Sequence, residues 1–353
     1  MSEQSPQHEA VMAALSTVID PDLHRDIVSL NMVQDLEIED GVVRFRFVLT
    51  TPACPLKNVF IEECKKALLG KVDGIRDVEI TWDSKMPTDK RLHGRLDTAM
   101  RSIIAVSSGK GGVGKSTVAV NLAIALAQKG ATVGLLDADV LGPNIPMMVG
   151  LSASKPLINN NKLVPWRAYG IHVMSMGFLI EPGKPLIWRG PMLHSAIRQF
   201  FDDVDWPQVD YLIVDLPPGT SDAQLSLAQS VPLTGAIIVT QPQNVALDDA
   251  EKGLAMFEEL QVSILGVVEN MAGEFFGEGG GEQLAEQRGV PFLGRIPLDA
   301  KVRVGGDSGK PIVVEAPDSP AAVAFQALAD QVASRVSIVL HSQQNVIPLK
   351  IIS

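Results

Sequence analysis

The stretch Ser107-Ser108-Gly109-Lys110-Gly111-Gly112-Val113-Gly114-Lys115-Ser116-Thr117 sets glycines, two lysines and several hydroxyls at a spacing suited to gripping an anion. From Gly109 to Ser116 it fits G-x-x-x-x-G-K-[ST]. In such a loop the glycines let successive backbone N–H groups turn inward around phosphate oxygens with no Cβ in the way. Lys115 supplies a point charge for the β- and γ-phosphates and Ser116 a hydroxyl for Mg²⁺, while Thr117 onward opens a helix whose N-terminal dipole favours an anion. Gly109, Lys110, Gly111, Gly112, Val113, Gly114, Lys115, Ser116 and Thr117 are therefore the expected triphosphate-binding set. Asp215 ends the apolar run Tyr211-Leu212-Ile213-Val214 and precedes Leu216-Pro217-Pro218-Gly219-Thr220, the Walker-B arrangement. A carboxylate there holds Mg²⁺, mostly through water because that ion dehydrates reluctantly, and Gly219 can bring its N–H against a γ-phosphate. Asp137 and Asp139 form a third acidic feature, two residues apart after another apolar run.

These groups converge only if the intervening segments build a parallel sheet. Apolar strands alternate with helical patterns from residue 102 onward, the signature of a doubly wound α/β domain with crossover helices on both faces. The expected strands are Ile103–Ser107, Thr132–Leu136, Ile171–Ser175, Tyr211–Val214, Ala236–Thr240, Ile264–Glu269 and Pro291–Gly294, with a final helix over Pro320–Ile338. Ligands in such sheets lie beyond the carboxyl ends of the strands, where residues 109–116, the Asp137 loop and the Asp215 loop would meet. Residues 5–84 form a separate small α+β domain. Its expected helices cover Glu9–Val18 and Leu56–Leu69, and its strands Asp35–Glu39, Val42–Leu49 and Ile75–Trp82. Residues 85–101 read as a linker, 102–338 as the P-loop domain and 339–353 as a tail.

The formal charge of −11 comes from 41 acidic against 30 basic residues with no dense Lys/Arg run, which argues against nucleic acid as a partner. No apolar run approaches the roughly 18–20 residues that span a bilayer, and the polar start lacks a signal peptide's core, so no membrane association and a cytoplasmic location are expected. Cys54 and Cys64 are the only cysteines, too few for a disulfide framework. Cys54 lies between Pro52 and Pro55 just before a predicted helix, where the dipole favours thiolate; a cluster ligand, a transfer handle and inert packing all remain open for it. Cys64 falls inside the predicted helix and reads as a core residue.

Lys110, inside the loop K-G-G-V-G-K-S, narrows the resemblance to the deviant P-loop ATPases. In that group the first lysine reaches across a homodimer to the partner's nucleotide, which would give Lys110 the role of an arginine finger. The resemblance further implies that Asp139 orients the attacking water, that Asp137 supports the metal and its waters, and that Asn270 contacts adenine. The segments Gly142-Pro143-Asn144-Ile145-Pro146, Trp188-Arg189-Gly190-Pro191 and Asp215-Leu216-Pro217-Pro218-Gly219-Thr220-Ser221-Asp222 are similar to the Mrp/ApbC branch over residues 100–338. The preceding module resembles the MIP-eighteen-like domain through Asp20-Pro21-Asp22, Asp26-Ile27-Val28 and Thr51-Pro52-Ala53-Cys54-Pro55. The family implies an ATP-hydrolysing, Mg²⁺-dependent homodimer that carries iron–sulfur clusters to apoproteins or works with cluster-assembly proteins. Relatives usually hold a dimer-bridging cluster on a C-x-x-C pair after the E-N-M segment; here Glu269-Asn270-Met271 leads into Ala272 to Gly281 with no cysteine. Two alternatives follow: a nucleotide-switched scaffold without its own cluster, and a MinD/ParA-like positioning ATPase.

Overall fold

The computed structural model describes residues 6–92, 99–140, 142–152, 154–179, 198–219, 224–225, 228–229 and 231–344. The segments Trp188–Pro191 and Thr220–Asp222 and the tail beyond residue 344 lie outside the described residues. The chain divides into two units, Met1–Pro87 and Thr88–Ser353.

The smaller unit runs α1 (Pro6–Leu15), β1 (Ile19–Asp20), β2 (Arg25–Asp26), β3 (Val33–Glu39), β4 (Val42–Leu49), α2 (Lys57–Leu68) and β5 (Asp77–Ser84). β3 and β4 pair antiparallel around Asp40 and Gly41, both at positive φ as a tight two-residue hairpin requires. β4 and β5 pair parallel, with α2 as the crossover. Alternation in Val42–Leu49 sends Val43, Phe45 and Phe47 to the covered face, where Phe47 and Phe60 of α2 stand 4.8 Å apart between ring centroids. Cys64 is fully buried in this core, as the helical pattern anticipates.

The larger unit begins with β6 (Met100–Ser107), α3 (Lys115–Gln128), β7 (Val133–Asp137), α4 (Ile145–Met148), β8 (Leu157–Asn159), β9 (Lys162–Val164), β10 (Trp166–Ala168) and β11 (Ile171–Ser175). It continues through β12 (Val209–Asp215), β13 (Gly235–Thr240), α5 (Asn244–Glu259), β14 (Ile264–Ala272), α6 (Gly280–Arg288), β15 (Phe292–Pro297), α7 (Ala300–Ser308), α8 (Ile312–Glu315) and α9 (Pro320–Gln344). Eight strands form one sheet in the order β10-β11-β7-β12-β6-β13-β14-β15, parallel throughout except for β10 at the edge. All seven expected strands are present. The short strands β8 to β10 carry no long apolar run, and β8 and β9 form their hairpin on the Asn160–Asn161 turn, both residues at positive φ.

Three boundaries move. Of the stretch read as a linker, Asp89 and Leu92 are fully buried in the larger unit, the Asp89 N–H donates to the Arg101 carbonyl at 2.9 Å, and β6 already starts at Met100. The final helix runs six residues past Ile338, into the stretch read as a tail, because Leu340 is still buried. By length and composition that helix is also apolar enough to cross a bilayer, which the sequence reading missed. Its apolar face packs instead against α3 and β15, with Phe325, Leu328, Val332 and Val336 buried. Small residues break up its run: Ala321, Ala322, Ala329 and Ala333 let it lie close to its neighbours.

Candidate functional site

β6 is a buried spine, with Ile103, Ile104, Ala105 and Val106 inaccessible to solvent, and α3 is almost as buried from Val118 to Leu126. The turn between them is therefore held at both ends. Gly112 (φ +82°) and Gly114 (φ +83°) adopt the left-handed conformation that curls the loop, and Gly114 is the N-cap of α3. Gly109 is required by proximity: a Cβ there would stand 2.0 Å from the Asp249 carbonyl group of α5.

Parallel pairing sets the carboxylates. Asp215 at the end of β12 is the direct register partner of Asp137 at the end of β7, and Ser175 at the end of β11 is that of Asp137 on the other side. Lys115 Nζ lies 2.6 Å from Asp215 Oδ1 and 3.7 Å from Asp139 Oδ2, and the Ser116 hydroxyl donates to Asp215 Oδ2 at 2.6 Å. Asp137 accepts from the Ser175 hydroxyl at 2.8 Å and from the Asp139 and Ile145 N–H groups at 3.2 and 3.3 Å. The sequence reading brought these groups together correctly but gave no role to Ser175; its place at the end of a strand flanking the Asp137 strand was the available signal.

Burial and crowding raise both strand-end carboxyls. Asp137 is fully buried beside Asp215 and is pushed up to about 8, with Ser175 and Lys115 opposing the shift. Asp215 is raised by burial too, against the pull of Lys115 and Ser116. Three carboxylates around one lysine leave the cluster short of positive charge, and Ser116 Oγ and Asp215 Oδ2 already adjoin. That donor set, a hydroxyl and a carboxyl oxygen, fits Mg²⁺. The Gly219 N–H donates to the Ser108 carbonyl at 2.9 Å, so meeting a phosphate would require exchanging that bond.

Beside the loop is a cavity of about 320 Å³ lined by Asn270, Met271, Pro297, Leu298 and Asp299, and sharing Thr117, Asn144 and Met148 with the hollow over the phosphate loop. The Asn270 side-chain N–H donates to the Val113 carbonyl at 2.8 Å, which leaves its Oδ1 and second N–H to meet a ligand. The Pro297–Asp299 wall escaped the sequence reading because it lies at the end of the last sheet strand, far along the chain from the loop.

Cys54 departs from expectation. Helix α2 starts only at Lys57, and burial, reinforced by Asp20 and Asp22, pushes the Cys54 thiol up to about 11. The Leu56 N–H opposes this but is outweighed, so thiol rather than thiolate is the neutral-pH form. Cys64 is likewise raised by burial, to about 12. Among the described residues no group of three or more His, Cys, Asp or Glu is arranged to hold a metal ion through side chains alone.

A central strand feeding a glycine loop into a helix, with a lysine and a strand-end aspartate at bonding distance, defines a P-loop nucleotide-binding protein. Residues 99–333 match the family of NUBPL iron-transfer P-loop NTPases, and the chain belongs to that family. Residues 8–82 match a second family, described as iron–sulfur cluster assembly protein. The chain is 50% identical over 346 residues to the iron–sulfur cluster carrier protein of Synechocystis sp., covering 94% of this chain and 98% of that one. Among solved structures, a nucleotide-binding protein of Archaeoglobus fulgidus in complex with ADP is 40% identical, with a TM-score of 0.55 over 63% of this chain and 92% of that chain. The cell division ATPase MinD of Pyrococcus furiosus is 26% identical, with a TM-score of 0.54 over 65% of this chain and 97% of that chain.

Proposed function

We propose that this protein is an ATP-hydrolysing, Mg²⁺-dependent carrier or assembly factor for iron–sulfur clusters that acts as a nucleotide-switched homodimer. The observation that carries the nucleotide chemistry is the contact of Lys115 and Ser116 with Asp215 beneath the glycine loop. The cluster function rests on the two family matches and on the name of the Synechocystis relative.

In the proposed cycle the loop N–H groups and Lys115 bind the phosphates, and Lys115 leaves Asp215 to do so. Ser116 and Asp215, with Asp137 behind them, would hold Mg²⁺, which when bound neutralises phosphate charge. Asp139 orients the attacking water, and Lys110 of one subunit stabilises charge at the partner's transferred phosphoryl group; phosphoryl transfer needs positioning and charge more than a strong base. Asn270 Oδ1 can accept from the N6 amine of adenine, where guanine would present a carbonyl oxygen, and this favours adenine. Hydrolysis opens and closes the dimer, and the cluster is its cargo.

A second reading is favoured by the thiols. The larger unit contains no cysteine, and both cysteines of the smaller unit are held protonated, so the cargo's ligands would come largely from the partner protein. Anaerobic reconstitution with iron and sulfide, followed by transfer to an apo iron–sulfur protein with and without ATP, separates the two. Cluster bound by the purified protein and delivered in a nucleotide-dependent way supports a carrier. No bound cluster, but nucleotide-dependent acceleration of transfer between two other proteins, supports a scaffold.

A further inference from the structure

Immediately after the base-contacting Asn270, β14 ends in a tight loop closed by two reciprocal bonds, Gly273 N–H to the Gly277 carbonyl at 3.0 Å and Gly277 N–H to the Gly273 carbonyl at 2.8 Å. Its tip carries Phe275 and Phe276, whose rings meet edge to face at 4.8 Å. Phe275 is 80% exposed, the most exposed large apolar side chain among the described residues. An aromatic ring left in water on a three-residue tip contributes nothing to the core.

The loop is braced for presentation. Glu269, fully buried, accepts from the Gly279 and Gly281 N–H groups at 2.9 and 2.7 Å and from Arg295 Nε at 2.7 Å. Gly280 backs so closely onto the turn between β13 and α5 that a Cβ would clash with the Pro242 carbonyl oxygen. The hairpin is thus tied down on its return side, and little conformational entropy remains to be lost when its tip is covered.

We propose that the Phe275–Phe276 hairpin is a docking knob for a partner protein that offers an apolar pocket with a basic rim. Charge selects that occupant. Glu274 and Glu278 flank the rings and are exposed, and the nearby Arg295 is already engaged by Glu269 and Glu282. In a two-fold contact between hairpins of two copies these carboxylates would face their own equivalents, and an anionic membrane surface would repel them equally. A lysine- or arginine-rimmed pocket both buries the rings and answers the carboxylates.

The test places a photo-crosslinking benzoylphenylalanine at position 275 of the full-length chain in producing cells, identifies the adduct by mass spectrometry, and measures the affinity of the purified partner by calorimetry. The expected result is an adduct to a different protein whose binding weakens about 30-fold in Phe275→Ser, as for a hot-spot aromatic. The Glu274→Lys/Glu278→Lys variant should also bind more weakly, and added salt should weaken the parental complex. Both variants should hydrolyse ATP at the parental rate and unfold at the parental temperature. Adducts confined to a second copy or to lipid, no adduct, or an affinity unmoved by Phe275→Ser would overturn the proposal. Whether the adduct is an iron–sulfur protein bears on the carrier reading alone.

Discussion

Asp137→Asn should flatten the pH dependence of this protein's stability in the absence of nucleotide and metal. Asp137 is fully buried, adjoins Asp215 across the strand pair, and is raised to about 8. An unfolded aspartate titrates near ~3.9, so the folded state holds this proton more tightly. A group with a raised folded pKa contributes stability that is fully present below about pH 4 and is lost as the pH rises through about 8. The slope within that window is about 1.4 kcal/mol per pH unit, or about 4 kcal/mol between about pH 5 and about pH 8. Asparagine carries no titratable proton. It also disturbs the acceptor that serves Ser175 and Ile145, a cost of about 1–3 kcal/mol that does not change with pH. The offset and the slope are therefore separable. Thermal unfolding of both proteins in chelator should show the parent losing about 8–16 °C relative to the variant across that range, at about 2–4 °C per kcal/mol for a unit of this size. Adding Mg·ADP should shrink the difference, because a cation near Asp137 favours its charged form. Parallel melting curves from pH 5 to 8 would mean that Asp137 is ionised throughout, and the reasoning from burial would fail.

Lys115→Ala should abolish most triphosphate affinity in equilibrium binding, whereas Lys110→Ala and Asp139→Ala should bind ATP and fail in single-turnover hydrolysis. Mixing those last two variants should restore about one competent site per mixed dimer, because Lys110 acts across the interface and Asp139 within its own subunit; no recovery in verified mixed dimers would place Lys110 in its own site. Asn270→Ala removes a side-chain bond to the Val113 carbonyl and should weaken ATP about tenfold while narrowing the preference over GTP; an unchanged ratio of the two affinities counts against base reading by this residue. Cys54, raised to about 11, should be alkylated roughly 100-fold more slowly at neutral pH than a free thiol, with the rate climbing steadily above pH 9; labelling at the free-thiol rate would show the thiolate to be accessible after all.

The phosphate loop, its strand and its helix were legible in the sequence because each depends on neighbours along the chain. Glycine φ values, a four-residue apolar run and a lysine–serine pair at a helix start are local properties, and the structure keeps them at Gly112, Gly114, Ile103–Val106 and Lys115–Ser116. The strand-end positions of Asp137 and Asp215 were equally legible from the runs that precede them. Their coupling was not. It arises because β7 and β12 are register neighbours although more than seventy residues separate them, and because both ends are closed off from water. The same reason explains Cys54: the sequence placed it before a helix, whose dipole favours thiolate, but how deeply it is buried and that Asp20 and Asp22 stand near it were decided by packing. It also explains the apolar final helix, which composition alone cannot assign to a core or a bilayer until α3 and β15 are seen against it. Spacing along the chain determined which groups this protein owns; desolvation and through-space charge, which exist only once distant segments pack, decided what those groups can do.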